Sequence, residues 1–350
     1  MRYFQIDGVH YRKDELIAKA EAVLKDDTVA EWEQLVWQFI LNWFSDEEAV
    51  EVQTSGSTGA PKKMKIQKHY FRNSARMTLD FLGLKPGDSV LLCLSAGYIA
   101  GKMMIVRALE GGLNLILSEP SSNPMKAINQ SVDFAAMVPM QVEKVLNESG
   151  EFALLKVRKL IIGGAAISPE LEQQLLPLKN QVFATYGMTE TVSHVALRSV
   201  SGTKCSAAFQ PLAGVEISKD ERGCLMINAP RLAAEMVITN DVVEINSDET
   251  FQILGRIDNV INSGGVKVFP EAVERKISHL IGDRFIITAQ QNVLLGQQVT
   301  LRIETDNSEK YDWVELQNKI KEVVHPFECP KSIEFVKVLN ETATGKIIRR

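Results

Sequence analysis

From the strand-like segment Met64-Ile66 to about residue 200, short apolar runs alternate with stretches of helical periodicity. No other feature narrows the possible folds of this chain so sharply. The strand candidates are Ser89 to Leu94, Leu113 to Leu117, Phe134 to Val138, Leu160 to Ile162 and Val182 to Ala184. Helical patterns near 69–82, 101–110, 140–147 and 168–176 precede or separate them. Strands that alternate with helices form βαβ units around a largely parallel sheet. Open sheets of this kind gather ligands at the carboxyl ends of their strands. Gly163-Gly164 follows one predicted strand and Tyr186-Gly187 another, so both sit where a ligand is expected.

The flanks read differently. The first fifty residues read as helix, with Trp32, Leu35, Val36, Phe39, Ile40, Trp43 and Phe44 on one apolar face that reads as core. Beyond residue 200, short strands and turns predict a smaller β-rich unit before about residue 255. A helix is expected to open at Pro270-Glu271, since proline suits a first helical turn. A chain of 350 residues is long for one core, so two domains are expected, 1–255 and 256–350.

A net charge of -5 argues against a nucleic-acid surface. The four cysteines are scattered without metal-type spacing, as in a reducing compartment, and Cys93 lies within an apolar run as a buried thiol would. The N-terminus lacks a signal-like apolar core, and no apolar stretch has the length of a membrane span. A cytoplasmic protein without a membrane partner is the expectation.

Chemistry begins with Thr54-Ser55-Gly56-Ser57-Thr58-Gly59-Ala60-Pro61-Lys62. Small residues let backbone N–H groups turn inward around an anion, and a lysine adds a compact cation. The loop is not a Walker A motif, because Pro61 falls where the second glycine belongs. Ser-Gly-Ser-Thr-Gly-x-Pro-Lys instead resembles the phosphate loop of the adenylate-forming superfamily of acyl-CoA synthetases, luciferases and peptide-synthetase adenylation domains.

Further segments extend the resemblance in the family's order. Gly163-Gly164-Ala165 is similar to its adenine-side loop, and Thr185-Tyr186-Gly187-Met188-Thr189-Glu190 to its Tyr-Gly-x-Thr-Glu segment. There the family places an aromatic face for adenine, a hydroxyl for the α-phosphate and a carboxylate for Mg²⁺, which implies Glu190 as the metal ligand. Asp241 and Arg256 stand where the family holds the ribose, and Asp258 at its hinge. Ser263-Gly264-Gly265-Val266-Lys267 resembles the loop presented to coenzyme A. Thr342-Ala343-Thr344-Gly345-Lys346 resembles the C-terminal segment whose lysine serves adenylation.

The resemblance implies an α/β fold: a large N-terminal domain with a parallel sheet and β-rich subdomain, plus a small mobile C-terminal α+β domain turning at Asp258. It implies ATP, Mg²⁺ and coenzyme A as cofactor and co-substrates, and a small carboxylic acid as substrate. Departures are few. About fifty residues precede the phosphate loop where the family has a hundred or more, and Asn240, Asn262 and Asn340 replace the family's usual residues.

Three runs resemble the o-succinylbenzoate–CoA ligases of menaquinone synthesis: Tyr98-Ile99-Ala100-Gly101, Met137 to Val142, and Tyr186 to His194. Tyr98 and His194 replace that subfamily's His and Gln. Such an acid has a second carboxylate that wants a cation or donor, for which Lys102, Ser193 and His194 are candidates beside Tyr98. The alternatives are a ligase that loads a carrier protein and a nucleotide-binding protein without catalysis.

Overall fold

The computed structural model describes residues 3–53, 63–340 and 349. The chain divides into two compact units, Met1–Glu216 with Ile227–Val237, and Ile217–Met226 with Ile238–Arg350. The β-rich stretch that follows residue 238 therefore clusters with the C-terminal residues.

The first unit opens differently from its helical reading. Two short strands, β1 (Phe4–Ile6) and β2 (Val9–Tyr11), form an antiparallel hairpin before any helix. Asp7 and Gly8 turn it with φ of 48° and 79°, the left-handed pair that suits a tight hairpin. The Asp7 carboxylate accepts from Leu117 N at 2.9 Å, and Gly8 N donates to the Asn114 side chain at 3.0 Å. These bonds weld the hairpin to a distant strand, so a Asp-Gly turn overrides the helical periodicity around it.

Helices α1 (Lys13–Leu24) and α2 (Glu31–Phe44) follow. Val36, Phe39, Ile40 and Trp43 are buried as their spacing predicts, together with Trp37, while Leu35 stays exposed. Strands β3 (Ala49–Gln53) and β4 (Lys63–Gln67) pair antiparallel in a separate two-stranded sheet. The glycine-rich loop from Thr54 to Lys62 that they bracket lies outside the described residues.

The alternation then unfolds as expected. Helix α3 (Lys68–Leu82) leads to β5 (Ser89–Leu92), α4 (Ile99–Gly111), β6 (Asn114–Leu117), β7 (Val132–Met137), α5 (Pro139–Ser149) and α6 (Glu151–Leu155). Next come β8 (Val157–Ile162), α7 (Pro169–Leu175), β9 (Gln181–Gly187), β10 (His194–Ser199) and β11 (Gln210–Pro211). One nine-stranded sheet runs in the order β11-β10-β9-β8-β7-β5-β6-β1-β2. Its interior, from β9 to β1, is parallel, and both margins are antiparallel. One face carries a core that includes Leu91, Cys93, Met137, Leu160, Ile162 and Ala184. Burial pushes the Cys93 thiol up to about 12, which makes it inert packing.

Most of the four-stranded sheet β12 (Glu216–Lys219), β13 (Cys224–Asn228), β14 (Val237–Ile245) and β15 (Phe251–Arg256) belongs to the second unit. After it come the hairpin β16 (Ile261–Ser263) and β17 (Val266–Val268), then α8 (Pro270–Ile277), which opens on proline as predicted. Strands β18 (Phe285–Asn292) and β19 (Gly296–Glu304), helix α9 (Trp313–Val323) and β20 (Ser332–Val336) complete a five-stranded sheet. Its core contains Val273, Ile277, Ile287, Leu301 and Ile320. The molecule is thus an α/β protein with a large parallel-containing sheet and β-rich parts. Among the described residues, no helix is long and apolar enough to cross a membrane.

Candidate active site

Strands β9, β8, β7 and β5 are parallel neighbours, so their carboxyl ends align along one rim. Gly163 follows β8, and a Cβ there would collide with the Thr185 hydroxyl on β9. That hydroxyl donates to Ile162 O at 3.2 Å, and Gly163 N donates to Met137 O at 3.1 Å. Gly164 turns with φ of 85°, leaving Gly164 and Ala165 exposed as open backbone. Gln141 knits the rim from α5: its amide donates to Cys93 O at 3.2 Å and Ser121 O at 2.8 Å, while its oxygen accepts from Val138 N at 3.1 Å. Small residues thus expose backbone polar groups on a fixed ledge, a surface suited to a flat polar ligand.

The end of β9 is equally constrained. A Cβ on Gly187 would run into the backbone of Ser193 and His194. Val192 takes φ of 65° and ψ of -48°, and Ser193 N donates to Thr191 O at 2.7 Å, a strained γ-turn. The Thr191 hydroxyl locks the turn against Met188 O at 3.0 Å and Ser193 O at 2.8 Å. Thr189 and Glu190 ride on it, with the Glu190 side chain exposed. Tyr186 is buried beside Phe209, their ring centroids 5.9 Å apart. An exposed carboxylate on a rigid turn fits Mg²⁺, which is held by one or two carboxylates together with phosphates and water. Among the described residues, no cluster of three metal-type side chains exists.

A buried polar chain runs behind this turn. Arg107, on α4, is only 2% exposed, and among the described residues it has no carboxylate partner. Its Nη2 donates to Ser193 Oγ at 2.9 Å, its Nη1 lies 3.4 Å from Met104 Sδ, and its Nε lacks an acceptor. Ser193 Oγ lies 3.4 Å from His194 Nδ1, and His194 Nε2 lies 3.2 Å from Thr78 Oγ1. The Thr78 hydroxyl donates to Ser74 O at 3.0 Å, so the imidazole must carry its proton on Nε2 and accept from Ser193 on Nδ1. Burial, and then Arg107, hold His194 well below its usual pKa, which keeps it neutral. Burial alone pulls Arg107 down to about 9.

Of the four pocket candidates, Ser193 and His194 therefore join one network, centred on an arginine that the sequence reading missed. Its signal was present: a lone charge within the apolar run Met103-Met104-Ile105-Val106-Arg107-Ala108-Leu109. Lys102 instead donates to Glu51 O on β3 at 3.1 Å, and burial lowers its pKa. Tyr98 stands exposed at the start of α4. Gly101 is required there, because a Cβ would strike the backbone of Ser95 and Ala96.

In the second unit, Asp241 and Arg256 face each other across β14 and β15. Arg256 reaches Asp241 at 3.3 Å and Asp258 at 2.7 Å, and Asn240 approaches Asp258 at 3.3 Å. Four residues from two separate segments thus form one polar group. Ser263, Gly264, Gly265 and Val266 make a tight hairpin turn with glycine φ values of 60° and 85°. Gly264 N donates to Leu295 O at 3.0 Å, which fixes the turn, and Lys267 is exposed beside it. Lys346 lies outside the described residues.

Comparison with known proteins places the chain in a family. The model of the AMP-binding enzyme family matches residues 9–230. An acyl-CoA synthetase (AMP-forming)/AMP-acid ligase II-like protein from Dyadobacter fermentans DSM 18053 is 36% identical, with a TM-score of 0.64, covering 94% of this chain and 95% of that one. The 2-succinylbenzoate–CoA ligase of Lactococcus lactis subsp. lactis (strain IL1403) is 24% identical, over 88% of this chain and 71% of its own length. The O-succinylbenzoate coenzyme A synthetase from Bacillus subtilis, solved with ATP and magnesium ion, shares the fold at 22% identity and a TM-score of 0.73, covering 85% of this chain and 68% of that one. The match spans the glycine ledge, the β9 turn and strands β2 to β11, and by it this chain belongs to the AMP-binding enzyme family.

Proposed function

We propose that this protein is an AMP-forming acid–thiol ligase that joins o-succinylbenzoate to coenzyme A at the expense of ATP. The observation that carries the reading is the rim where Gly163-Gly164 and Tyr186 to Glu190 converge beside the buried Arg107. The ledge of Gly163, Gly164 and Ala165 offers backbone groups to the adenine, with Tyr186 and Gly187 shaping the same edge. Thr189 presents its hydroxyl toward the phosphates, Thr185 braces the ledge through Ile162 O, and Glu190 holds Mg²⁺. That ion, when bound, neutralises phosphate charge and favours attack at the α-phosphorus. The Thr54–Lys62 loop cradles the phosphates, and Asp241 with Arg256 holds the ribose hydroxyls.

The acid's reacting carboxylate displaces pyrophosphate, and Lys346 stabilises the charge that develops. The thiolate of coenzyme A, led in by the Ser263–Gly265 turn, then attacks the acyl carbon, and AMP departs. Rotation of the second domain about Asp258 lets the two steps share one site. Arg107, reached at Ser193, answers the acid's second carboxylate, since a buried cation without a counter-ion is completed by an anionic ligand.

The test is a mass-spectrometric assay with ATP, Mg²⁺, coenzyme A and o-succinylbenzoate, with benzoate and short fatty acids in parallel. Thioester and AMP from o-succinylbenzoate alone are expected. Thioester from benzoate at an equal rate would discard the substrate, and no AMP with any acid would discard the ligase.

A further inference from the structure

Arg107 lacks what Arg349 has. Arg349 meets the Glu274 carboxylate with both ends of its guanidinium, one bond measuring 2.8 Å from Nη2 to Oε2. Arg107 has the Ser193 hydroxyl at 2.9 Å, a weak sulfur contact to Met104, and an Nε without an acceptor. The direction of its guanidinium therefore depends on what holds that hydroxyl.

The backbone of Ser193 is already fixed. The Thr191 hydroxyl bonds Ser193 O at 2.8 Å, and the next residue, His194, pairs with Gly187 at the end of β9. The Ser193 hydroxyl has a single proton, and the groups behind it decide where that proton points. Thr78, fully buried on α3, gives its own proton to Ser74 O and so receives one from His194 Nε2 at 3.2 Å. His194 Nδ1 is left bare, with Ser193 Oγ at 3.4 Å. The Ser193 proton is thus committed to the imidazole, and its lone pairs face Arg107 Nη2. One chain of bonds runs in a single sense from Arg107 through Ser193, His194 and Thr78 to Ser74. A guanidinium is a planar fork, so fixing Nη2 also aims its remaining donors.

We infer that His194 is a positioning residue for recognition of the acid: acting through Ser193, it sets the plane in which Arg107 meets the second carboxylate. The inference rests on the ligase reading, in which Arg107 answers that carboxylate. The position needs one donor and one acceptor, which a glutamine amide also supplies and a leucine does not. A merely structural histidine predicts something else: weaker binding of every acid, and a loss that adds to that of Arg107→Met.

Wild type, His194→Gln, His194→Leu, Thr78→Val, Arg107→Met and the double variant His194→Leu/Arg107→Met are compared by calorimetry. Dissociation constants for o-succinylbenzoate and benzoate are read with AMP in place of ATP, so no turnover is required. His194→Leu is expected to bind o-succinylbenzoate about tenfold more weakly, the worth of one hydrogen bond, and benzoate within about twofold of wild type. His194→Gln stays within about threefold of wild type for both acids. Thr78→Val, which strands the Nε2 proton, falls between the two. The double variant binds no more weakly than Arg107→Met alone, because residues acting through one group are not additive. In parallel, nitrogen-15 spectra of histidine-labelled wild type should show His194 protonated on Nε2 and bare on Nδ1. Thr78→Val and the tautomer decide the matter if the leucine variant does not fold. Equal weakening for both acids, an additive loss in the double variant, or the opposite tautomer overturns the inference. Weaker binding in Arg107→Met with none in His194→Leu strikes the inference and spares the ligase reading. The expected differences without AMP release from o-succinylbenzoate and ATP strike the ligase reading alone.

Discussion

Arg107 and Arg349 are both largely withdrawn from solvent, and they meet their surroundings in opposite ways. Arg107 in the first unit is almost sealed from solvent, yet its partners are a serine hydroxyl and a thioether. Arg349 in the second unit is less buried and meets a carboxylate with both prongs. Desolvating a charge is costly unless a counter-charge repays it. The Arg349 pair satisfies that condition within the protein, as a structural tie would. Arg107 does not, and its burial pulls its pKa down to about 9. An unrepaid charge beside a strained turn is what the proposed site for the acid's second carboxylate requires.

The sharpest way to break this contrast is to remove each charge or its partner. Glu274→Ala strands Arg349 and is expected to cost about 3 kcal/mol of unfolding free energy. Arg107→Met removes a charge that no carboxylate among the described residues balances, so urea titration should show a loss near zero or a gain. A loss for Arg107→Met equal to that of Glu274→Ala would end the distinction between the two sites.

Next in size is the effect of Arg107→Met on specificity. Relative kcat/KM for o-succinylbenzoate over benzoate should fall by about 2 kcal/mol, or roughly 30-fold, the worth of a charged hydrogen bond. An unchanged ratio would show that the second carboxylate lies elsewhere.

His194 sharpens the comparison through pH. Its folded pKa is depressed, so below about pH 6.5 the unfolded state binds the extra proton and the native state does not. Stability is then present above that pH and falls by up to about 1.4 kcal/mol per unit as pH drops below it. His194→Gln should flatten this slope in denaturation curves taken from pH 7 to pH 5. A slope that persists in the variant would assign it to another group.

The smallest effect belongs to the half-exposed pair of Arg256 and Asp258. Asp258→Asn should change stability by less than about 1 kcal/mol, because solvent screens the pair. A larger loss would place Asp258 among the structural ties and count against its proposed role as hinge.

Local pattern sufficed wherever chemistry was continuous in sequence. The alternation of strands and helices located β5 to β9 because apolar periodicity reports directly on what a segment buries. Gly163, Gly164, Gly187, Gly264 and Gly265 were legible for a related reason. Each occupies a place where a Cβ would collide or the backbone turns left-handed, so the residue type itself carries the geometry. The opening hairpin was missed because a helical period was extended over Asp7-Gly8, a turn whose strands join the sheet only beside residues 114–117.

The amino-acid sequence by itself determined the βαβ alternation, the chemical inventory of the rim and the order of its motifs. Tertiary structure alone decided which buried charges are paired. Arg107 meets Ser193 across 86 residues and Arg349 meets Glu274 across 75. Spacing along a chain specifies the faces of its own helices and strands, whereas a counter-ion is supplied by whichever element packs opposite. A lone arginine in an apolar run therefore signals that something must answer its charge, and only the fold reveals that no carboxylate among the described residues does.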